Sequence, residues 1–146
     1  MLPDLQTSRF IPEPGNRVTV EVPAPDVARV LASVIAVDAL TYGDYDQVAF
    51  TSAGGVQQFR SLPQGRNPAT DAAVQVPCVQ LSFFIAGAPD HLTRVIEAVY
   101  DAHPYEEPVI TVASVLRCLH VRGLDEDNPN RFWNRPVADW VPQEHR

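Results

Sequence analysis

The sequence predicts an α+β sandwich of ferredoxin-like order, β-α-β(β)-β-α-β, with two helices packed on an antiparallel sheet. Three observations carry this expectation. A strand, an Ala-Pro-Asp turn and an amphipathic helix occur twice, the apolar helical positions at a constant offset of 65 residues. The strands of the two copies alternate or run apolar over lengths typical of half-buried and buried strands. A β-branched run, Val109–Leu116, closes the chain's second copy as a strand should. A duplicated βαβ unit is the reading these share.

Residues 1–16 carry Pro3, Pro12, Pro14 and Gly15, and are expected to form an N-terminal arm outside the core. Order is expected from Arg17, where Val18, Val20 and Val22 alternate with Thr19 and Glu21. Pro23-Ala-Pro25-Asp26 ends that strand and offers Asp26 as a helix N-cap. Val27, Val30, Leu31, Val34 and Ile35 then recur at helical spacing to about Val37. Gln47–Thr51 and Val56–Leu62 read as a hairpin around Ala53-Gly54-Gly55. Val79–Ile85 is the repeated strand, Ala88-Pro89-Asp90 the repeated cap, and Leu92, Val95, Ile96 and Val99 the repeated helical face. Arg29 and Arg94 correspond as well. The ferredoxin-like unit is therefore expected over residues 17–116.

Two helices cover one face of such a sheet. The last strand is nevertheless apolar at both parities, with Val109, Ala113 and Val115 on one side and Ile110, Val112 and Leu116 on the other. Phe83 and Phe84 are likewise adjacent. An antiparallel sheet with one wet face alternates. The second face is therefore expected to be covered, by another subunit or by the C-terminal segment folding back. That extension, residues 117–146, balances five arginines against five acids, so the whole net charge of −7 falls in the first 116 residues. Phe132, Trp133, Val137 and Trp140 give it anchors, expected to dock on the core or on a neighbouring subunit.

Composition excludes several functions. A net charge of −7 disfavours nucleic acid as a partner, which needs a basic face. All eleven basic residues are arginine, so neither a lysine Schiff base nor a P-loop lysine exists. Aliphatic runs are far too short to span a membrane, and Met1-Leu-Pro-Asp-Leu-Gln-Thr-Ser lacks the features of a signal peptide. A cytoplasmic chain is expected, its two cysteines, Cys78 and Cys118, packed as small hydrophobes.

Two clusters could carry chemistry. His103-Pro104-Tyr105-Glu106-Glu107-Pro108 follows the second helix, where Pro104 forces a turn. A histidine with one or two carboxylates on a constrained joint suits a first-row divalent ion. The same residues also serve as an ordinary helix-to-strand joint. Asp44, Tyr45 and Asp46, after Gly43, form the second cluster, which lacks the further oxygens of a calcium loop. No Gly-x-Ser-x-Gly elbow or specific Cys/His pairing supplies a nucleophile.

The block His103–Pro108, after an Ala-rich amphipathic helix, resembles the His-Pro-Tyr-Glu-Glu-Pro motif of the YqfO-like family. That family comprises small stand-alone proteins and the insert domain of Nif-three-like dinuclear-metal-centre proteins. Gly43-Asp-Tyr-Asp46, Phe50, Phe59-Arg60-Ser-Leu62-Pro and Gly65-Arg-Asn67-Pro68 resemble its other blocks, in order. The CutA family has a similar motif at the same joint and a similar fold. The resemblance implies a PII-like, ferredoxin-like domain that forms trimers, with the motif near subunit contacts. It implies a non-catalytic binding or regulatory module for a small molecule or a protein, with His103, Tyr105, Glu106, Glu107, Asp44, Tyr45 and Asp46 as ligand-site candidates. The CutA likeness implies the alternative, a divalent-metal-binding protein using His103 and Glu106. Gln47-Val48 stands where the family often has His-Cys, Asp44 replaces Asn, and the extension lies outside the pattern.

Overall fold

The computed structural model describes residues 1–140 and 142–145; positions 141 and 146 of the expected extension lie outside the described residues. Strand β1 spans Phe10–Val22, helix α1 Val27–Ile35, strands β2 Phe50–Thr51, β3 Gly55–Phe59 and β4 Val74–Ile85, helix α2 Pro89–Ala102, and strand β5 Ile110–His120. β1 lies between β4 and β5, and β2 and β3 follow one another along the far side of β4. Every pairing is antiparallel. This is the expected ferredoxin-like arrangement.

The alternation of β1 puts Val18, Val20 and Val22 inward beside Phe83, Leu81 and Val79 of β4, to which they pair. Val30 and Val34 of α1 and Val95 and Val99 of α2 close the core above them. Leu31 and Leu92 pack at its margin, whereas Ile96, the counterpart of Leu31, stays outside the buried cluster.

Four local expectations are corrected. β1 begins at Phe10, not Arg17, and passes through Pro12, Pro14 and Gly15. Glu21 N–H bonds toward β5 at Val109, so odd-numbered positions of β1 donate to β5. Even-numbered Pro12 and Pro14 therefore turn their missing N–H to the side where β4 has already ended at the Asn16–Ile85 pair. Gly15 is required by its neighbour, because a Cβ there would stand 2.2 Å from the Phe84 ring and 2.8 Å from the Ile85 carbonyl.

The predicted hairpin is absent: β2 and β3 both pair with β4, and Ser52, between them, bonds Gln80 through its N–H and its Oγ. Asp26 makes no side-chain cap, because its carboxylate takes Arg29 instead. Arg29 also donates from Nε to the Ala102 carbonyl at the end of α2, which joins the two helices. Cys78 is buried as expected, but Cys118 is exposed, since it pairs with Pro12 beyond the point where β4 ends beside β1.

The extension is built around one buried carboxylate. Asp125 accepts from Arg9, Arg131 and Asn128, and Val121 N–H bonds the Arg9 carbonyl, so the turn is tied to the start of β1. Trp133 Nε1 and Asn134 Nδ2 both donate to the Glu126 carbonyl. Trp133, Val137 and Trp140 stay about half exposed in the single chain.

The Arg131 and Arg9 guanidiniums hold the Asp125 carboxyl well below the usual range, against the opposing effect of its burial. A depressed folded-state pKa gives stability that is present above the ordinary aspartate range and lost as pH falls through and below it. Both tryptophans of the chain lie in this extension, so their fluorescence reports on it directly. Acidification should shift that emission below the ordinary aspartate range. Asp125→Asn should remove the acid transition, and an unchanged acid profile in that variant would refute the assignment.

Candidate functional site

α2 ends because Pro104 cannot follow a helical residue, and His103 takes an extended conformation (φ −71°, ψ 140°) as its C-cap. Its own N–H still bonds the Val99 carbonyl at 2.9 Å. The imidazole turns inward and is buried. Nδ1 accepts the Tyr105 N–H at 3.0 Å, so Nε2 carries the proton and donates to the Glu21 carbonyl at 2.8 Å. The Tyr105 ring lies against it with centroids 5.0 Å apart. His103 thereby locks the turn after α2 onto the end of β1.

This geometry does not fit a divalent ion. Both imidazole nitrogens are engaged by the backbone, which leaves no lone pair for a metal. Glu106 turns to Arg66, whose Nε donates to its Oε2 at 3.2 Å. Among the described residues no three His, Cys, Asp or Glu side chains converge as a metal site.

Burial pushes the Tyr105 hydroxyl up, reinforced by the charges of Cys78 and Asp26. Burial likewise raises the Cys78 thiol, with Glu21 adding to it. Both groups stay protonated near neutrality, the opposite of what a nucleophile needs.

Glu106 and Glu107 form one wall of a concavity of about 380 Å³ whose other wall is Gln64, Gly65 and Arg66. The fold thus brings the Gly65–Pro68 block to the His103–Pro108 block. Sequence reasoning missed Arg66 as a partner, although the charge inside an otherwise turn-like block was its signal.

Asp44, Tyr45 and Asp46 line a separate concavity of about 440 Å³ with Thr41 and Gly43. Tyr42 and Tyr45 exchange backbone hydrogen bonds across a tight turn, which needs the left-handed φ of +59° at Gly43. Leu40 and Gln47 also adopt positive φ, 51° and 55°, an uncommon state for such residues. The surroundings hold them there. Asp38 accepts Leu40 N–H and is itself bonded by His91. Arg117 donates to the Thr41 carbonyl, Tyr42 Oη to the Cys118 carbonyl, and Arg122 pairs with Asp44. The Arg117 guanidinium is further packed over Phe84, 4.0 Å from the ring centroid, and bonded to Glu13. Arg117 and Arg122 were not foreseen in this site.

The two clusters do not meet within one chain. His103 anchors beside Val109, whereas Tyr42 anchors at Cys118, the far end of β5. At about 3.3 Å per strand residue these anchors lie roughly 30 Å apart.

No protein-family model and no curated protein matches the sequence. Solved structures do match. A Bacillus cereus protein related to NIF3 superposes with a TM-score of 0.61 at 24% identity, over 77% of this chain and 29% of that one. CutA1 from the psychrotrophic bacterium Shewanella sp. SIB1 gives a TM-score of 0.50 at 13% identity, over 71% of this chain and 82% of that one. The chain thus spans under a third of the NIF3-related protein and most of the length of CutA1. The fold is the PII/CutA-like one that the sequence resemblance implied. Among the described residues no helix is long and apolar enough to cross a membrane.

Proposed function

We propose that this chain is a small cytoplasmic binding or regulatory module, without catalytic activity, that works as a homo-oligomer associated through its sheet. A small ligand or a partner protein is held at clefts between subunits. The observation that supports this reading is the apolar surface the sheet leaves in water. On the face turned away from the helices, Phe50 is 69% exposed and Val109 40%. Large apolar side chains left exposed on a sheet face in this way support an association surface. The trimer is the state that the resemblance implies. The motif clusters, whose anchors along β5 are roughly 30 Å apart by the strand spacing, then belong to clefts that neighbouring copies complete.

Light scattering at micromolar concentration should give a multiple of the 16.1 kDa chain mass, threefold for the trimer. Phe50→Asp, a change at an exposed position of the two-residue strand β2, should shift the species toward monomer and leave the far-ultraviolet circular dichroism intact. A clean monomer for the unaltered chain would overturn the association.

A further inference from the structure

The concavity between Gln64–Arg66 and Glu106–Glu107 carries opposite charges on opposite walls. Arg66 reaches Glu106, forty residues further along, through Nε alone. That contact is side-on. It sets the plane of the guanidinium while the Nη1 and Nη2 edge makes no hydrogen bond among the described residues. The free edge is the fork that takes a carboxylate through two parallel bonds. Glu107 has no hydrogen-bond or ion-pair partner among the described residues, and its carboxylate is an acceptor for an ammonium group.

The wall bearing the glutamates is held in place before any ligand arrives. His103 fixes it to β1 through Nε2 and braces the turn itself through Nδ1, and Pro104 and Pro108 restrict the backbone on either side. The volume, about 380 Å³, suits a small molecule. A simple anion would meet the repulsion of the two glutamates, and a simple amine that of Arg66. A molecule with both charges on one carbon satisfies both walls.

We infer that this concavity receives a free amino acid, its α-carboxylate on the Nη edge of Arg66 and its α-ammonium between Glu106 and Glu107. The inference rests on the binding-module reading and narrows its ligand to a class. The site is open to water and its one internal ion pair is worth little there, so affinity should be modest.

The test is a titration of the full-length, isotope-labelled chain with L-alanine, followed by amide chemical shifts. Alaninamide, which lacks the carboxylate, and N-acetyl-L-alanine, which lacks the ammonium, are the controls. L-Alanine should give saturable shifts at Gly65, Arg66 and Glu107, and each control should bind at least about ten-fold more weakly. Arg66→Gln and Glu107→Gln should each weaken L-alanine by a similar factor, about ten-fold, while Arg66→Lys, which keeps the charge and loses the fork, should recover only part. Shifts that do not saturate, or controls that bind as well as L-alanine, would overturn the amino-acid assignment. Light scattering on the same samples separates the two readings: an oligomer without L-alanine binding refutes only the ligand class, and a monomer refutes the module.

Discussion

Leu81→Ala is expected to lower the free energy of unfolding by about 3–5 kcal/mol, the range for a leucine whose cavity cannot collapse. Leu81 is fully buried. It sits in the middle of β4, paired with Val20 of β1 on one side and Thr51 of β2 on the other. The helical residues Val30, Val34, Val95 and Val99 belong to the same buried cluster. Strands on both sides prevent the backbone from closing on the void, so the loss adds a cavity term to the lost transfer energy. Urea unfolding at fixed protein concentration should show a lower midpoint with an unchanged slope. A loss under about 1 kcal/mol would mean that the sheet and helices are not packed as described.

The core was legible in the sequence because its signal is local. Val18, Val20 and Val22 alternate with Thr19 and Glu21, and a second strand, Ala-Pro-Asp turn and helix later in the chain tells the same story twice. What was not legible depends on which distant segment wins a competition. Gly54-Gly55 looks like a hairpin turn, yet β4, at twelve residues, is long enough to host β2 and β3 in succession. Asp26 has the chemistry of a cap, but Arg29 one turn later offers its carboxylate a charge. Pro12 and Pro14 read as strand breakers only until it is known which neighbour their missing N–H would have faced.

The site divides in the same way. The His103–Pro108 motif located the turn, its constraint and its polar character. Nothing nearby in sequence identified the Glu21 carbonyl, 82 residues away, as the group that claims Nε2. Nor did spacing show that Arg66 would meet Glu106, or that Asp44 would be paired by Arg122 from the extension. Tertiary contacts alone decide whether a histidine is a ligand or a fastener.

His103→Ala distinguishes those two roles. The substitution removes both hydrogen bonds and leaves the Tyr105 N–H and the Glu21 carbonyl without their partner in a part-buried setting. Losing one partner of a buried bond costs about 1–3 kcal/mol, so the two together with the lost ring packing should cost about 2–4 kcal/mol. Amide exchange at Tyr105 should accelerate more than the global destabilisation accounts for, because that N–H loses its acceptor. Calorimetric titration of zinc and copper provides the second readout. A histidine whose nitrogens are both engaged contributes no ligand, so the wild type and His103→Ala should bind these ions equally and weakly. Tight binding by the wild type that vanishes in the variant would require the imidazole to leave Glu21 or Tyr105 for the metal, and the divalent-metal alternative would then replace the fastener. A large loss of stability with no change in metal binding would fix His103 as the residue that holds the turn, and with it the two glutamates, in place.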